Sequence, residues 1–412
     1  MKRPSTSVLP TEIIIHIFKY VPILWKIKLE RVCRQWQEAS KASWSGIRRL
    51  IVVSPRRRRN SLGIYVQNDE IYVSRYDQIM MDAILSRIGH NITHLSFELF
   101  SVDLDKHFFL LIAKHCTNVE NFSSSGWQKS AELKHLLSCN TKLRSIYLDG
   151  AEVSLSALQG RNWKCLHLLG GMPIWEKASK ERVVELINGS SDLEDLRLDT
   201  WSEEIRDAVV KKSKLKSLGY CEELFRYGRR PELINFQGMR LLTSLALCDL
   251  GIKVDCAERF LRMLIQISLY CPNFQELSIR ETAVSNSAYE AMLALPKLHT
   301  LALENIKSFD DTMLVRLSKL RRLAVKNVGY SVEGLLSFLA EATDLEYLDI
   351  SWSSLYIAEL EQIINVTFHR KNKLKIIVHQ RDMNKIVSMS PGKHVTFAQW
   401  HYKQHTHFLL RP

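Results

Sequence analysis

The stretch Leu298-His299-Thr300-Leu301-Ala302-Leu303 sets the pattern for most of this 412-residue chain. Alternate residues of an extended strand share a face, so Leu301 and Leu303 point the same way and demand a common cover. The same apolar-x-x-apolar-x-apolar spacing recurs on both sides of it. Upstream it reads Ile92/Leu95/Phe97, a degenerate Val119/Phe122, Leu143/Ile146/Leu148, Trp163/Leu166/Leu168, Leu193/Leu196/Leu198, Leu215/Leu218/Tyr220, Leu242/Leu245/Leu247 and Phe274/Leu277/Ile279. Downstream it reads Leu320/Leu323/Val325, Leu345/Leu348/Ile350 and a weaker Leu374/Ile377. The mean step between first positions is about 26 residues, a period that signals stacked units rather than one compact core.

Between the strands lie apolar residues at helical spacing: Phe108/Leu111/Ile112, Val183/Leu186/Ile187, Phe260/Leu264/Ile267 and Leu335/Phe338/Leu339. A lone strand and helix cannot bury both apolar faces, and stacking the units in parallel does. The expectation is an α/β solenoid, a horseshoe of about 12–13 strand-helix repeats, resembling the leucine-rich repeats in its period. Cys116, Cys139 and Cys271 each precede an apolar strand position by three or four residues. This resembles the cysteine-containing repeats found in F-box proteins, and small buried residues at helix ends are the expected role.

Ahead of the array, residues 8–44 read VLPTEIIIHIFKYVPILWKIKLERVCRQWQEASKASW. Pro10 suits a first helical turn, Glu12 suits its positive end, and Ile13, Ile17, Phe18 and Val21 are expected to form its apolar face. The helix should stop near Pro22, and a second is expected over about Trp25 to Ala39. Helices this short leave apolar surface uncovered, because a core of some 40 residues is too small to hide it.

The order Leu9-Pro10-x-Glu12-Ile13, Ile17-Phe18-x-Tyr20, Pro22 and Val32-Cys33-Arg34-x-Trp36, with Trp44 beyond, resembles the F-box. That resemblance implies docking on a Skp-type adaptor and, through it, on a cullin. The implied contacts are Leu9, Pro10, Ile13, Ile17, Phe18, Leu29, Val32, Cys33 and Trp36. Trp25 stands where the family often has an Asp that caps the second helix, and Lys26 and Arg31 stand where apolar residues are common. The domain reading is an F-box over 1–46, a solenoid over 47–379 starting at Ile47/Leu50/Val52, and a tail over 380–412 that caps the last repeat. A hairpin of Ile64-Tyr65-Val66 and Ile71-Tyr72-Val73, with a basic insertion near 54–75, interrupts the first repeat.

The net charge of +13 is concentrated at the front: residues 1–60 carry 14 basic against 3 acidic residues, and the rest is nearly balanced. Arg56 to Arg59 read first as a solvated loop, with an import signal or a phosphate contact as alternatives, and Ser61 beside them suits a basic-directed kinase. The apolar run Ile13 to Trp25 is broken by His16, Lys19 and Pro22, so no signal peptide or membrane span is expected. Eight cysteines without CxxC spacing point to a reducing compartment, cytosol or nucleus.

No phosphate loop, HExxH or nucleophile elbow occurs, so the chain reads as a non-catalytic adaptor that needs no cofactor or metal. His401, His405 and His407 cluster in the tail without a scaffold to converge them. Residues alternating with the buried leucines face outward along the solenoid's concave side. Tyr147, Asp195, Arg197, Glu276, Arg322, Tyr347 and Asp349 are the expected substrate contacts there, with Trp352 on the rim. Trp127 and Trp201 occupy a site shared with Phe100, Leu250, Ile306 and Val328 and are expected to be buried filler. The face is mixed in charge, which favours a protein substrate over a nucleic-acid backbone. The alternatives are a leucine-rich scaffold or inhibitor whose front helices merely cap it, and a nucleic-acid-associated protein using Arg56 to Arg59.

Overall fold

A computed structural model describes residues 9–53, 64–67, 69–74, 77–98, 106–125, 130–150, 155–169, 177–199, 201–221, 234–251, 254–353, 355–386 and 392–399. They fall into two units, Met1–Ser191 and Asp192–Pro412.

The first unit opens with three helices, α1 (Thr11–Tyr20), α2 (Ile23–Leu29) and α3 (Arg34–Trp44). The single helix expected from Trp25 to Ala39 is therefore two, split at Glu30 to Cys33. Glu30 explains the break: its carboxylate accepts the Ser40 hydroxyl at 2.9 Å and two bonds from Arg87 Nε. In one continuous helix Ser40 would lie about 15 Å along the axis from Glu30, out of reach.

The sheet of this unit runs β2-β3-β1-β4-β5-β6-β7. Its strands are β1 (Arg49–Val53), the antiparallel pair β2 (Ile64–Gln67) and β3 (Glu70–Val73), then β4 (His94–Glu98), β5 (Asn121–Ser125), β6 (Ser145–Asp149) and β7 (Cys165–Leu169). All neighbours other than β2 and β3 are parallel, and Leu50, Leu95, Phe122, Ile146 and Leu166 stand in register. Helices α4 (Gln78–Ile88), α5 (Lys106–His115), α6 (Ser130–Cys139) and α7 (Lys177–Gly189) alternate with the strands. Where α6 ends, Arg161 from the next repeat donates to the carbonyls of Leu137 and Asn140, adding to the backbone bonds that close the helix end.

The second unit is a parallel ladder in chain order: β8 (Asp195–Leu198), β9 (Ser217–Cys221), β10 (Ser244–Gly251), β11 (Glu276–Thr282), β12 (Thr300–Glu304), β13 (Arg322–Lys326), β14 (Tyr347–Asp349), β15 (Leu374–Val378) and β16 (Val395–Gln399). Leu196, Leu218, Leu245, Leu277, Leu301, Leu323, Leu348, Ile376 and Phe397 are aligned across it. Eight of them, from Leu196 to Ile376, are buried. Its helices are α8 (Glu203–Val209), α9 (Val254–Tyr270), α10 (Asn286–Leu293), α11 (Asp311–Arg316), α12 (Val332–Glu341), α13 (Ile357–Thr367) and α14 (Gln380–Ile386).

Each unit is thus an α/β stack of the leucine-rich kind, with β4 to β15 at the twelve positions the period marks. In the tail, β16 adds a parallel strand on the edge of β15, beyond the last repeat that the period marks. Among the described residues no helix is long and apolar enough to cross a membrane.

Candidate adaptor and ligand surfaces

The front module has a finished core. Ile14 and Phe18, one turn apart on α1, pack with Ala39 of α3, and Leu29 and Trp36 lean on that cluster. Phe18 meets Trp36 edge-on at 5.7 Å. The apolar face of α1 therefore differs from the expected one: Ile14 and Phe18 point inward, while Ile13 and Ile17 remain 48% and 42% exposed. Phe18 is fully buried and is not a contact residue, correcting its place among the adaptor contacts. Leu9, Pro10, Val32 and Cys33 are exposed, and Leu29 and Trp36 are half-buried. Tyr20, Leu24 and Trp25 are exposed as well. Sequence reading missed these three as surface, although Trp25 already stood out as a departure from the F-box pattern.

The module is tied down from beneath. Trp44 Nε1 donates to Ser40 Oγ at 3.0 Å, Ser40 donates to Glu30, and Arg87 of α4 closes the chain at 2.8 Å from Glu30. Lys26 is buried with its ammonium over the Trp44 ring at 5.1 Å. That burial lowers its pKa, against the charge of Asp69, which raises it. Lys19, Lys28, Arg31, Arg34 and Lys41 are exposed, so the apolar surface has a basic margin.

On the outward face of the first unit's sheet, Tyr147 is half-buried against His167, ring to ring at 5.6 Å. Below it Asn121 Nδ2 donates to His94 Nε2, and His94 Nδ1 meets the Thr93 hydroxyl at 2.9 Å. Desolvation first, and then Arg49, lower the pKa of His94.

In the second unit the outward face is more closed than alternation alone predicts. Asp195 and Arg197 are buried and lie 3.4 Å apart, with Arg197 Nη2 also donating to Ser217. A Cβ on Gly219 would sit 3.2 Å from Arg197 Cγ, so the guanidinium stem lies across the next strand. Asp349 is fully buried, 3.5 Å from the buried Lys326, and accepts from the Ser351 amide. Asp195, Arg197 and Asp349 therefore serve the sheet and are corrected as surface contacts. Their ion-pair partners and the placement of the Arg197 stem beside Gly219 are contacts that residue alternation does not reveal. Glu276, Arg322 and Tyr347 are half-buried, with Arg322 over the Tyr347 ring at 5.3 Å. Burial raises the pKa of Tyr347, and Asp349 adds to that rise.

Trp352 is 56% exposed, and Tyr356 and Ile357 beside it are exposed too. Those two were missed, as were Ile265 and Leu269 on α9. Trp201 is buried and stacks on Tyr220 at 4.1 Å, the filler role expected of it. Trp127, Arg56 to Arg59, Ser61, His401, His405 and His407 lie outside the described residues. Burial pushes the thiols of Cys116 and Cys271 up to about 12, in keeping with packing rather than reactivity.

Residues 6–49 match the F-box-like family model. The Caenorhabditis elegans protein EEED8.10, a candidate RNA-binding protein by name, is 22% identical over 385 residues. That match covers 84% of this chain and 50% of the relative, so the chain spans about half the length of the curated protein it matches. Among solved structures, the chain is similar to a Listeria monocytogenes internalin at 14% identity and TM-score 0.36, over 77% of this chain and 83% of that one. It is also similar to a chain of the yeast Rad7 and Elc1 complex, at 12% identity and TM-score 0.48, over 96% and 94%.

Proposed function

We propose that this F-box and leucine-rich-repeat protein is the substrate-receiving subunit of a Skp-cullin-F-box ubiquitin ligase. One observation carries the reading. Ile13 and Ile17 are exposed on a helix whose neighbouring face, Ile14 and Phe18, already fills the module's core. Nothing in the module's own packing needs those two residues at the surface, and a partner's apolar groove does. The F-box-like match over the same residues supports a Skp-type adaptor as that partner. Leu9, Pro10, Val32 and Cys33 extend the contact surface, with Leu29 and Trp36 at its edge. The basic margin suits an acidic partner and speeds encounter.

On this reading the repeats hold a protein substrate while the front module holds the ligase. The gain is proximity: tethering raises the concentration of a substrate lysine near the charged ubiquitin enzyme, with no chemistry contributed by this chain. Half-buried Tyr147, Glu276, Arg322 and Tyr347 and exposed Trp352 are the candidate substrate contacts, and cytosol or nucleus the candidate location.

The test is co-purification of the full chain with a Skp-type adaptor, comparing wild type with Ile13→Asp/Ile17→Asp. Loss of the adaptor with an unchanged helical spectrum supports the reading. Retention at wild-type stoichiometry, or no adaptor with wild type, overturns it and leaves a repeat scaffold. A second reading, association with RNA, is favoured by the name of the Caenorhabditis elegans relative. Its signature is binding that weakens steeply with salt and flattens when Arg56 to Arg59 are changed to Gln.

A further inference from the structure

We propose that Cys221 and Cys248 form a peroxide-oxidisable dithiol on the outward face of the second unit, closing to a disulfide that ties β9 to β10.

The two residues are register partners on adjacent parallel strands, and Cys248 is in turn the partner of Arg280 on β11. The residues before them, Tyr220, Leu247 and Ile279, are all buried inward. Alternation therefore sends both sulfurs and the guanidinium to the same outward side. Neighbouring strands lie about 4.8 Å apart, inside the Cα spacing of about 4.4 to 6.8 Å that disulfides span. Closure needs the two Cβ atoms to approach by roughly a further 1 Å. The backbone there is placed to yield: Cys221 is the last residue of β9, and the pairing of β10 with β11 shifts register between Cys248 and Gly251.

Register pairing and a neighbouring cation set this pair apart from Cys139 and Cys165, which are also part-exposed. Cys116, Cys256 and Cys271 are buried, whereas Cys221 and Cys248 are both part-exposed. Arg280 keeps a raised pKa against its own desolvation, with Cys248 the leading favourable charge, ahead of Glu304 and Glu281. The attraction is mutual, so the guanidinium favours the thiolate at Cys248 and makes it the nucleophile.

In the first step the Cys248 thiolate attacks one oxygen of hydrogen peroxide. The O–O bond breaks, hydroxide leaves and takes up a proton, and Cys248 becomes a sulfenic acid. In the second step the Cys221 sulfur attacks that sulfur. The S–O bond breaks, and the thiol proton departs with the hydroxyl as water. Two thiols give up two electrons, and one peroxide is reduced to two waters.

The experiment uses the full chain, treated with hydrogen peroxide, alkylated and digested without reductant. The expected product is a linked pair of peptides containing Cys221 and Cys248, reversed by dithiothreitol and formed before exposed Cys33 oxidises. In Cys221→Ser, dimedone should trap a sulfenic acid on Cys248. In Arg280→Gln, disulfide formation should slow by about threefold to tenfold. Two results overturn the proposal: independent alkylation of both cysteines after peroxide, or a Cys248→Ser variant whose Cys221 is trapped by dimedone as fast as Cys248 is in Cys221→Ser. The first needs no substitution and so is free of any folding defect.

Discussion

The front module and the repeats around α10 to α12 solve the same problem, short helices seeking cover, in opposite ways. Helices α10, α11 and α12 begin at Ser285, Asp310 and Ser331, each of which accepts the backbone N–H three residues on. Helices α1, α2 and α3 begin at Pro10, Pro22 and Cys33, and none has a side-chain cap. The repeat helix α12 buries Leu335, Phe338 and Leu339, whereas α1 leaves Ile13 and Ile17 outside. The repeats supply their own stability from interior leucines and caps. The module carries a minimal core and leaves its remaining apolar surface for a partner to finish.

That contrast breaks most visibly at Phe18. Phe18→Ala removes the largest side chain of a very small core, at a cost of about 3–5 kcal/mol. We expect loss of protection of the α1 and α3 amides by hydrogen exchange, with adaptor capture lost as a consequence. Ile13→Asp/Ile17→Asp should lose capture with protection intact, and equal loss of protection in both would erase the distinction. Next is Arg87→Ala, which leaves the largely buried Glu30 without its cation and costs about 1–3 kcal/mol. Its expected mark is faster exchange of the α2–α3 turn, while amides of β11 to β13 stay as protected as in wild type.

How far the sequence alone reaches follows the same division. The positions of β4 to β15 were legible because every repeat enforces the same inward leucines. A one-residue slip would turn them all to water. The end of the strand carries a second, quieter signal. Glu281, Asn305 and Asn327, each seven residues after the first apolar position, adopt positive φ. They link side chain to side chain, Asn305 Nδ2 to Glu281 Oε1 at 3.1 Å and Asn327 Nδ2 to Asn305 Oδ1 at 2.6 Å. Asparagine at a fixed offset is readable as that conformation.

The break at Glu30 was not legible, because the residue that anchors it, Arg87, lies 57 positions away. Nor was the burial of Asp195, Arg197 and Asp349, since alternation fixes the side of the sheet but not the ion pairs formed on it. On α1 the apolar residues run Ile13, Ile14, Ile15, Ile17 and Phe18. So continuous a run leaves the inward face to be chosen by α3.

Caps give the finer tests. Ser331 accepts the Gly334 amide at 3.0 Å and donates to Asp311 at 2.6 Å, so Ser331→Ala should cost about 1 kcal/mol in a denaturant titration. Asp310 adds a pH dependence. The Thr312 hydroxyl first, and the Met313 amide next, hold its carboxyl below the ordinary 3.8. A depressed acid contributes stability above its unfolded pKa and loses it as pH falls through the folded one. The midpoint difference between wild type and Asp310→Ala should therefore be present at neutral pH and shrink below pH 3.8.

The smallest effect tests the module's unfinished state most directly. Cys33 heads α3 with the extended backbone of an N-cap residue and no capping bond. Cys33→Ser places a hydroxyl where the second or third amide of the helix can donate to it, a gain of about 0.5–1 kcal/mol. Cys33 is also exposed on the proposed adaptor surface. Slower exchange of α3 with unchanged adaptor affinity would mean that the missing cap is neutral to docking. Slower exchange with weaker capture would mean that the helix start yields when the adaptor binds. No change in exchange would show that the helix start is held by Glu30 and its partners alone, and the contrast in caps would then have no energetic content.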